Sequence, residues 1–216
     1  MTQDDRIGPP GHRGRVVAEV DSRLRSVFLQ NRLIAGLPRL PGVPLPIVKF
    51  VVGQIVDRLL AVPGGMEPLM VLERDPARLA ASTGVAVLTV VVARAAGWPG
   101  RALADLGAAA LLADLGSLLA EEEPGTAGCR WLLDRGVDDF WLRCALVARH
   151  ARTPAGDAQA LHACGGLVFV RLAIAIHDAM QGSGWTDGWR AVLATGDAGQ
   201  WPDGLLGVSA AAFAGA

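Results

Sequence analysis

Residues 106–119 read LGAAALLADLGSLL, and the fold turns on how this run is read. It is built from Leu, Ala and Gly with one charge, Asp114, and no alternation of apolar and polar residues. Alanine and leucine are the best helix formers, and a strand would show a period of two, so the run predicts a buried helix over about 101–120. Its rhythm is that of a catalytic helix, yet Ala113 stands before Asp114 where a metal-binding pair would place a histidine.

Outward from it, the chain reads as helices divided by Gly, Pro and Asp clusters. Residues 15–37 place Val16, Val20, Leu24, Val27 and Phe28 on one stripe, with Arg15, Arg23, Arg25 and Arg32 largely off it, predicting an amphipathic helix. The connector GLPRLPGVPLP breaks it, because proline lacks a backbone donor and disfavours helix in the residue before it. Further helices are expected over about 47–61, 76–96, 126–135, 138–151, 158–181, 186–195 and 204–214, with a short helical piece after VPGGMEP. The segment LVFVRLAIAI is β-rich in composition, but it lies in an apolar run long enough to predict a buried helix. The fold class is therefore all-α, without a repeat of fixed period. The expected divisions are a loose tail over 1–14, an N-terminal helical segment over 15–62 and a helical domain over 63–216.

The composition suits one sizeable core: 216 residues, 51% hydrophobic and 19% charged. A formal net charge of −1 supplies no broad attraction for a nucleic-acid polymer or an anionic membrane. Lys49 is the single lysine among many arginines, which fits a GC-rich bacterial genome. Cys129, Cys144 and Cys164 are odd in number and form no C-x-x-C pair, so reduced thiols and a cytoplasmic setting are expected. Asp4 and Asp5 precede any apolar run, unlike a secretory signal. The two most apolar windows carry Lys49, Asp57, Arg58 and Arg94, and they read as buried helices rather than membrane spans.

No phosphate-cradling glycine loop or nucleophile elbow is present. Of the histidines His12, His150, His162 and His177, the last forms an HD dipeptide with Asp178. Neighbours on a helix point about 100° apart, so that dipeptide needs ligands from other elements, and a hydrogen-bonded histidine is the simpler expectation. The tryptophans Trp98, Trp131, Trp141, Trp185, Trp189 and Trp201 are scattered over helix ends and turns, as expected of packing residues, and the first-helix arginines read as a solvated face or a partner surface.

From about Val56 onward the chain resembles an HD-superfamily domain, closest to the HD-GYP proteins, with a second likeness to the HDOD signalling domains. The HD-GYP pattern HSVNVAxLxxxLAxxLG corresponds to ASTGVAVLTVVVARAAG at 81–97, and AALLHDIGKL to AALLADLGSL at 109–118. Its HHExxDGSGYP falls near RHARTPAGD at 149–157, and VADxFDAM on AIAIHDAM at 173–180. LPRLPGVPLP is similar to the opening of HDOD domains, which lack the metal site altogether. The resemblance implies an HD-domain-like helical bundle with an N-terminal helical extension.

In HD-GYP proteins, the resemblance implies, two or three iron- or manganese-type ions activate water against cyclic di-GMP. Here the apolar scaffold positions match and most polar ones do not. The ligand positions fall on Ala81, Ala113 and Ala175; a further histidine position lies near Glu123 or Pro124; the phosphate-contacting lysine is Ser117; and the His-His pair is Arg149-His150. Tyrosine is absent from the sequence, so no GYP triplet exists. Asp114 and His150 remain of the family site, and metals of this kind require several imidazole and carboxylate donors at once. The expectation is a pseudoenzyme with no cofactor and no bound metal, acting as a binding or scaffold module in bacterial signalling. Arg149, Arg152 and Ser117 at the old site mouth, and Arg23, Arg25 and Arg32 on the first helix, are the expected contacts for a partner protein. The alternatives are a sensor of cyclic di-GMP or another nucleotide, and a residual phosphohydrolase using Asp114, His150, His177 and Asp178. A homodimer is compatible with either.

Overall fold

The computed structural model describes residues 10–37, 40, 43–119, 123–153, 164–183, 191–192, 201 and 204–214; the side chains of 10–20, 182–183, 212 and 214 are not described. These residues form an all-α assembly, and among them there is no strand. In chain order the helices are α1 (Pro10–Ala35), α2 (Leu45–Ala61), α3 (Met66–Leu72), α4 (Pro76–Ala95), α5 (Gly100–Leu111), α6 (Pro124–Leu133), α7 (Asp139–His150), α8 (Leu167–Ser183) and α9 (Leu205–Ala214), with a 3₁₀ turn at Leu115–Leu118 between α5 and α6.

The centre is α4, and its sequence explains why. Asp75 caps it by accepting from the backbone N–H groups of Ala77 and Arg78, both at 3.1 Å, and Pro76 fits the first turn, where no donor is needed. The run Ser82–Val90 is buried on every side, which its small and β-branched residues permit because neighbouring helices can approach closely. Helices α1, α2, α3, α5, α8 and α9 all pack on it. By length and composition α4 is apolar enough to cross a membrane, with a mean hydropathy of 1.6, but 67% of that window is buried inside the bundle. It ends in a Schellman motif: Gly97 has φ +80°, its N–H donates to Arg94 and that of Trp98 to Ala93, and Pro99 prevents continuation.

Three points depart from the sequence pattern. The helix expected over about 101–120 stops at Leu111; a turn and the 3₁₀ segment follow. The cause is a backbone-to-backbone contact, since a Cβ on Gly116 would lie 1.8 Å from the Pro124 carbonyl oxygen and 2.6 Å from the Gly128 nitrogen. The chain presses so closely on α6 there that a straight helix cannot pass, and Ser117 Oγ bonds back to the Asp114 carbonyl at 2.5 Å. The helix expected over 158–181 begins at Leu167, after the Cys164–Gly166 turn; residues 154–163 lie outside the described residues. Its glycine is again a contact point, because a Cβ on Gly166 would meet Leu106 Cδ1 at 2.5 Å.

The third point is the face that α1 turns inward. Leu24, Val27 and Phe28, on the apolar stripe, are 65%, 54% and 61% exposed, whereas Ser26, Leu29 and Leu33 pack inward. A polar seam sets the rotation: Ser26 donates to Asp57 on α2 at 2.7 Å and Gln30 donates to Ser26 at 2.9 Å, opposite the flat surface of Gly53. The side chains of Val16 and Val20 lie outside the described residues. Helix α1 also begins at Pro10, within the segment expected as a loose tail, and the helix expected over 186–195 falls mostly outside the description.

These contacts rank the glycines. Gly116→Ala should lower the unfolding free energy by about 3 kcal/mol or more, or prevent folding, because both opposing atoms are backbone. Gly97→Ala, with open space around it and only the positive φ against it, should cost about 1 kcal/mol. Urea titration followed by circular dichroism measures both.

Candidate functional site

The 3₁₀ turn, the end of α7 and the middle of α8 meet at one corner, where a single arginine joins their charges. Arg152 donates from Nε and Nη2 to the two carboxylate oxygens of Asp114, both at 2.6 Å, and from Nη1 to Asp178 at 3.2 Å. The fork of the guanidinium matches the carboxylate edge, so the pair is both charge-assisted and geometrically specific. Asp114 is the more enclosed partner, with its side chain 22% exposed against 51% for Arg152.

Arg152 lies two residues beyond α7, and a buried cation fixes that point in space. Arg171, on α8, donates to the backbone carbonyl of His150 from Nε at 3.1 Å and from Nη2 at 2.9 Å, and also to Thr153 Oγ1 at 2.9 Å. A guanidinium on the last carbonyls of a helix compensates their unpaired acceptors and the negative end of the helix dipole. Arg171 therefore holds the end of α7 where Arg152 can reach both aspartates.

On the other side the network continues into α4. Arg78 donates to Ser117 Oγ, which in turn donates to the Asp114 carbonyl. The start of α4 and the Asp114 turn, two segments the family resemblance assigns to metal ligands, are thus physically adjacent. His177 is 4% exposed and packs against Gly84, where an added Cβ would lie 3.2 Å from its Cδ2. Its Nδ1 stands 3.7 Å from Asp178 Oδ1, and its Nε2 lies 3.4 Å from Gln181 Nε2. The Asp178 carboxyl is held below the usual carboxylate range, first by His177 and then by Arg152, with burial opposing. The Arg152 guanidinium holds its proton more tightly than usual, chiefly through Asp114.

The other expected site residues are placed as follows. Arg149 pairs with Glu123 at 3.0 Å. Glu123 also caps α6 through Gly125 and Thr126, and the Thr126 hydroxyl first of all holds its carboxyl below the usual range. His150 contributes its backbone carbonyl to Arg171. Arg25 pairs with Asp21 at 2.8 Å and Arg32 with Glu73 at 3.5 Å, while Arg23 lines a groove with Val27, Asp57 and Leu60. The structure does not bring Arg25 or Arg32 to the Asp114 network. His162, Asp157, Trp185 and Trp189 lie outside the described residues, as does the side chain of His12. Among the tryptophans that are described, Trp141 is buried, Trp98 meets Phe169 edge-on and Trp131 lies under the Arg135 guanidinium. The three cysteines are free thiols, and burial raises the pKa of each.

No protein-family model matches this sequence, and it has no match among curated proteins or solved structures.

The residues gathered at this corner do not fit the metal ions that the family resemblance implies. Asp114 and Asp178 are bridged by a guanidinium, which carries only donors and no lone pair for a metal. Ala81, Ala113 and Ala175 occupy three ligand positions, and His177 is packed into the α4–α8 seam. Among the described residues no group of three or more His, Cys, Asp and Glu side chains is disposed to hold an ion. Arg171, Arg78 and Gln181 were not picked out by the sequence reading; for Arg171 the signal was present, a lone cation inside LVFVRLAIAI.

Two measurements check this geometry. Arg152→Ala should cost about 1 kcal/mol, with Arg152→Lys recovering less than half because an ammonium cannot make the paired contact; Arg171→Met should cost about 2 kcal/mol by leaving buried acceptors unmatched. Because the Asp178 pKa is lower folded than unfolded, its contribution is complete above the ordinary carboxylate range and is lost as pH falls through the folded value. The stability of Asp178→Asn relative to the parent should therefore converge on zero difference as the pH is lowered, as read by urea midpoints across an acid series.

Proposed function

We propose that this chain is a catalytically inactive, HD-GYP- or HDOD-like helical protein that serves as a protein-binding or scaffold module in a bacterial signalling pathway, in the cytoplasm. The observation that carries it is the bidentate Arg152–Asp114 pair with its reach to Asp178. A fixed positive group stands between carboxylates that a cation-dependent enzyme would need to keep open. The retained apolar scaffold at 81–97 and 109–118, together with alanine at the ligand positions, supports the same assignment. Burying unpaired imidazoles is costly, and apolar replacements keep the packing without that cost.

Arg149 and Arg152 keep their outer surfaces at the corner, with side chains 43% and 51% exposed. A partner carboxylate or phosphate reaching them competes with Glu123, Asp114 and Asp178, so binding there is exchange of one anion for another.

The test combines metal analysis with turnover on protein purified without chelator. Metal content is expected to be far below one ion per chain, and cyclic di-GMP with added manganese is expected to remain intact at the rate of an Asp114→Ala control. Near-stoichiometric iron, manganese or zinc, or turnover abolished by Asp114→Ala, would establish the residual phosphohydrolase instead. Saturable cyclic di-GMP binding in calorimetry, without cleavage, would establish the nucleotide sensor.

A further inference from the structure

Far from the charged corner, α2, the C-terminal half of α4 and the start of α5 enclose a half-open cavity of about 460 Å³. Its walls are mostly apolar, formed by Phe50, Val51, Val91, Trp98 and Leu103 among others, with the polar Gln54 beside them, and its one charged lining residue is Arg94. The side chain of Arg94 is exposed and makes no ion pair or hydrogen bond among the described residues. Helix α5 opens beside it with Pro99 at the capping position and no side chain on its first N–H groups, and Gly100 forms part of the lining. That helix end adds positive potential where Arg94 already supplies a charge. Phe50 and Ile47, at 59% and 41% exposure, leave apolar surface uncovered at the mouth.

We infer that this cavity is a binding site for a linear amphiphile: a hydrocarbon tail lying between α2 and α5, with a single anionic headgroup at Arg94. The tail is matched by the wall, and the headgroup by the unpaired cation and the open helix terminus. The volume lies within the range of about 300–1,000 Å³ typical of small-molecule sites. The ligand is a free monomer rather than a bilayer lipid, because the tail space is bounded by helices on three sides.

The experiment is calorimetric titration of the full chain with octanoate, decanoate, dodecanoate and tetradecanoate, each below its micellar concentration, and with dodecanol as the neutral probe. Binding is expected to saturate at one site. Affinity should rise roughly fourfold per methylene while the tail still finds wall to cover, then level off when the cavity is full. Arg94→Gln should weaken dodecanoate about three- to fivefold and leave dodecanol unchanged. Ala104→Phe, which places a ring in the cavity, should abolish binding of both, with an unchanged thermal midpoint showing that it folds; Val91→Phe serves if it does not. No saturable binding by any chain length, affinity that climbs with length without levelling, indifference of dodecanoate to Arg94→Gln, or binding to anionic phospholipid vesicles without binding to monomers would each overturn the site.

Discussion

Everything in this protein leans on α4 being buried on all sides. A helix so placed cannot present a long or charged residue between positions 82 and 90, and it does not. Its small residues let α8 come close enough for His177 to touch Gly84, and let α5 nest so that Ile55 and Val90 meet Gly107. Each fully buried valine or leucine contributes about 1.5–3 kcal/mol relative to exposure, and α4 supplies such residues to its contacts with six other helices. Once α4 is fixed, the angular positions of its neighbours follow, and with them the two features of functional interest: a charged corner at its start and an apolar cavity at its end.

The corner shows how a polar network is held by an apolar frame. Asp114 sits where it does because Gly116 lets the chain turn against α6, and Arg152 because Arg171 grips the last carbonyl of α7. Neither cation reaches its partner through flexible search alone, since Arg171 is buried within α8 and Arg152 follows directly on the end of α7 that Arg171 holds. The partly buried ion pair gains from that rigidity, because little side-chain entropy remains to be lost when the fork closes on the carboxylate.

How much of this was legible from sequence depends on the type of signal. Helix α4 was visible from the proline after Asp75 to the glycine after Ala96, because caps and terminators are local chemistry. The end of α5 was not, because Leu112 and Ala113 continue the helical pattern and only the tertiary contact of Gly116 with α6 stops it. The periodicity of α1 was legible but its rotation was not: the apolar stripe through Leu24 and Phe28 faces outward, while Ser26, itself accepting from Gln30, binds across to Asp57, a pairing between residues 31 apart that no local pattern records. At the candidate site, Asp114 and Arg152 were singled out together, but the fork between them and its extension to Asp178 depend on the meeting of three helices. The cavity at Arg94 left no motif, since its lining comes from separate elements whose apolar residues look like ordinary core.

On the proposed descent from an HD domain, the pattern of kept and lost residues has a physical logic. A metal ion requires lone pairs and is best served by imidazole together with carboxylate. A guanidinium has five N–H donors and no acceptor, so imidazole offers it little, whereas carboxylates and carbonyls suit it well. On that resemblance Ala81 and Ala113 stand at histidine positions, Ala175 at an aspartate position, and His150 remains; the two carboxylates that Arg152 joins here are Asp114 and Asp178. Those two carboxylates, brought together without a cation, would repel one another, and one of them would be driven to hold a proton. Arg152 removes that repulsion with a charge attached covalently to the chain, donating to both carboxylates at once.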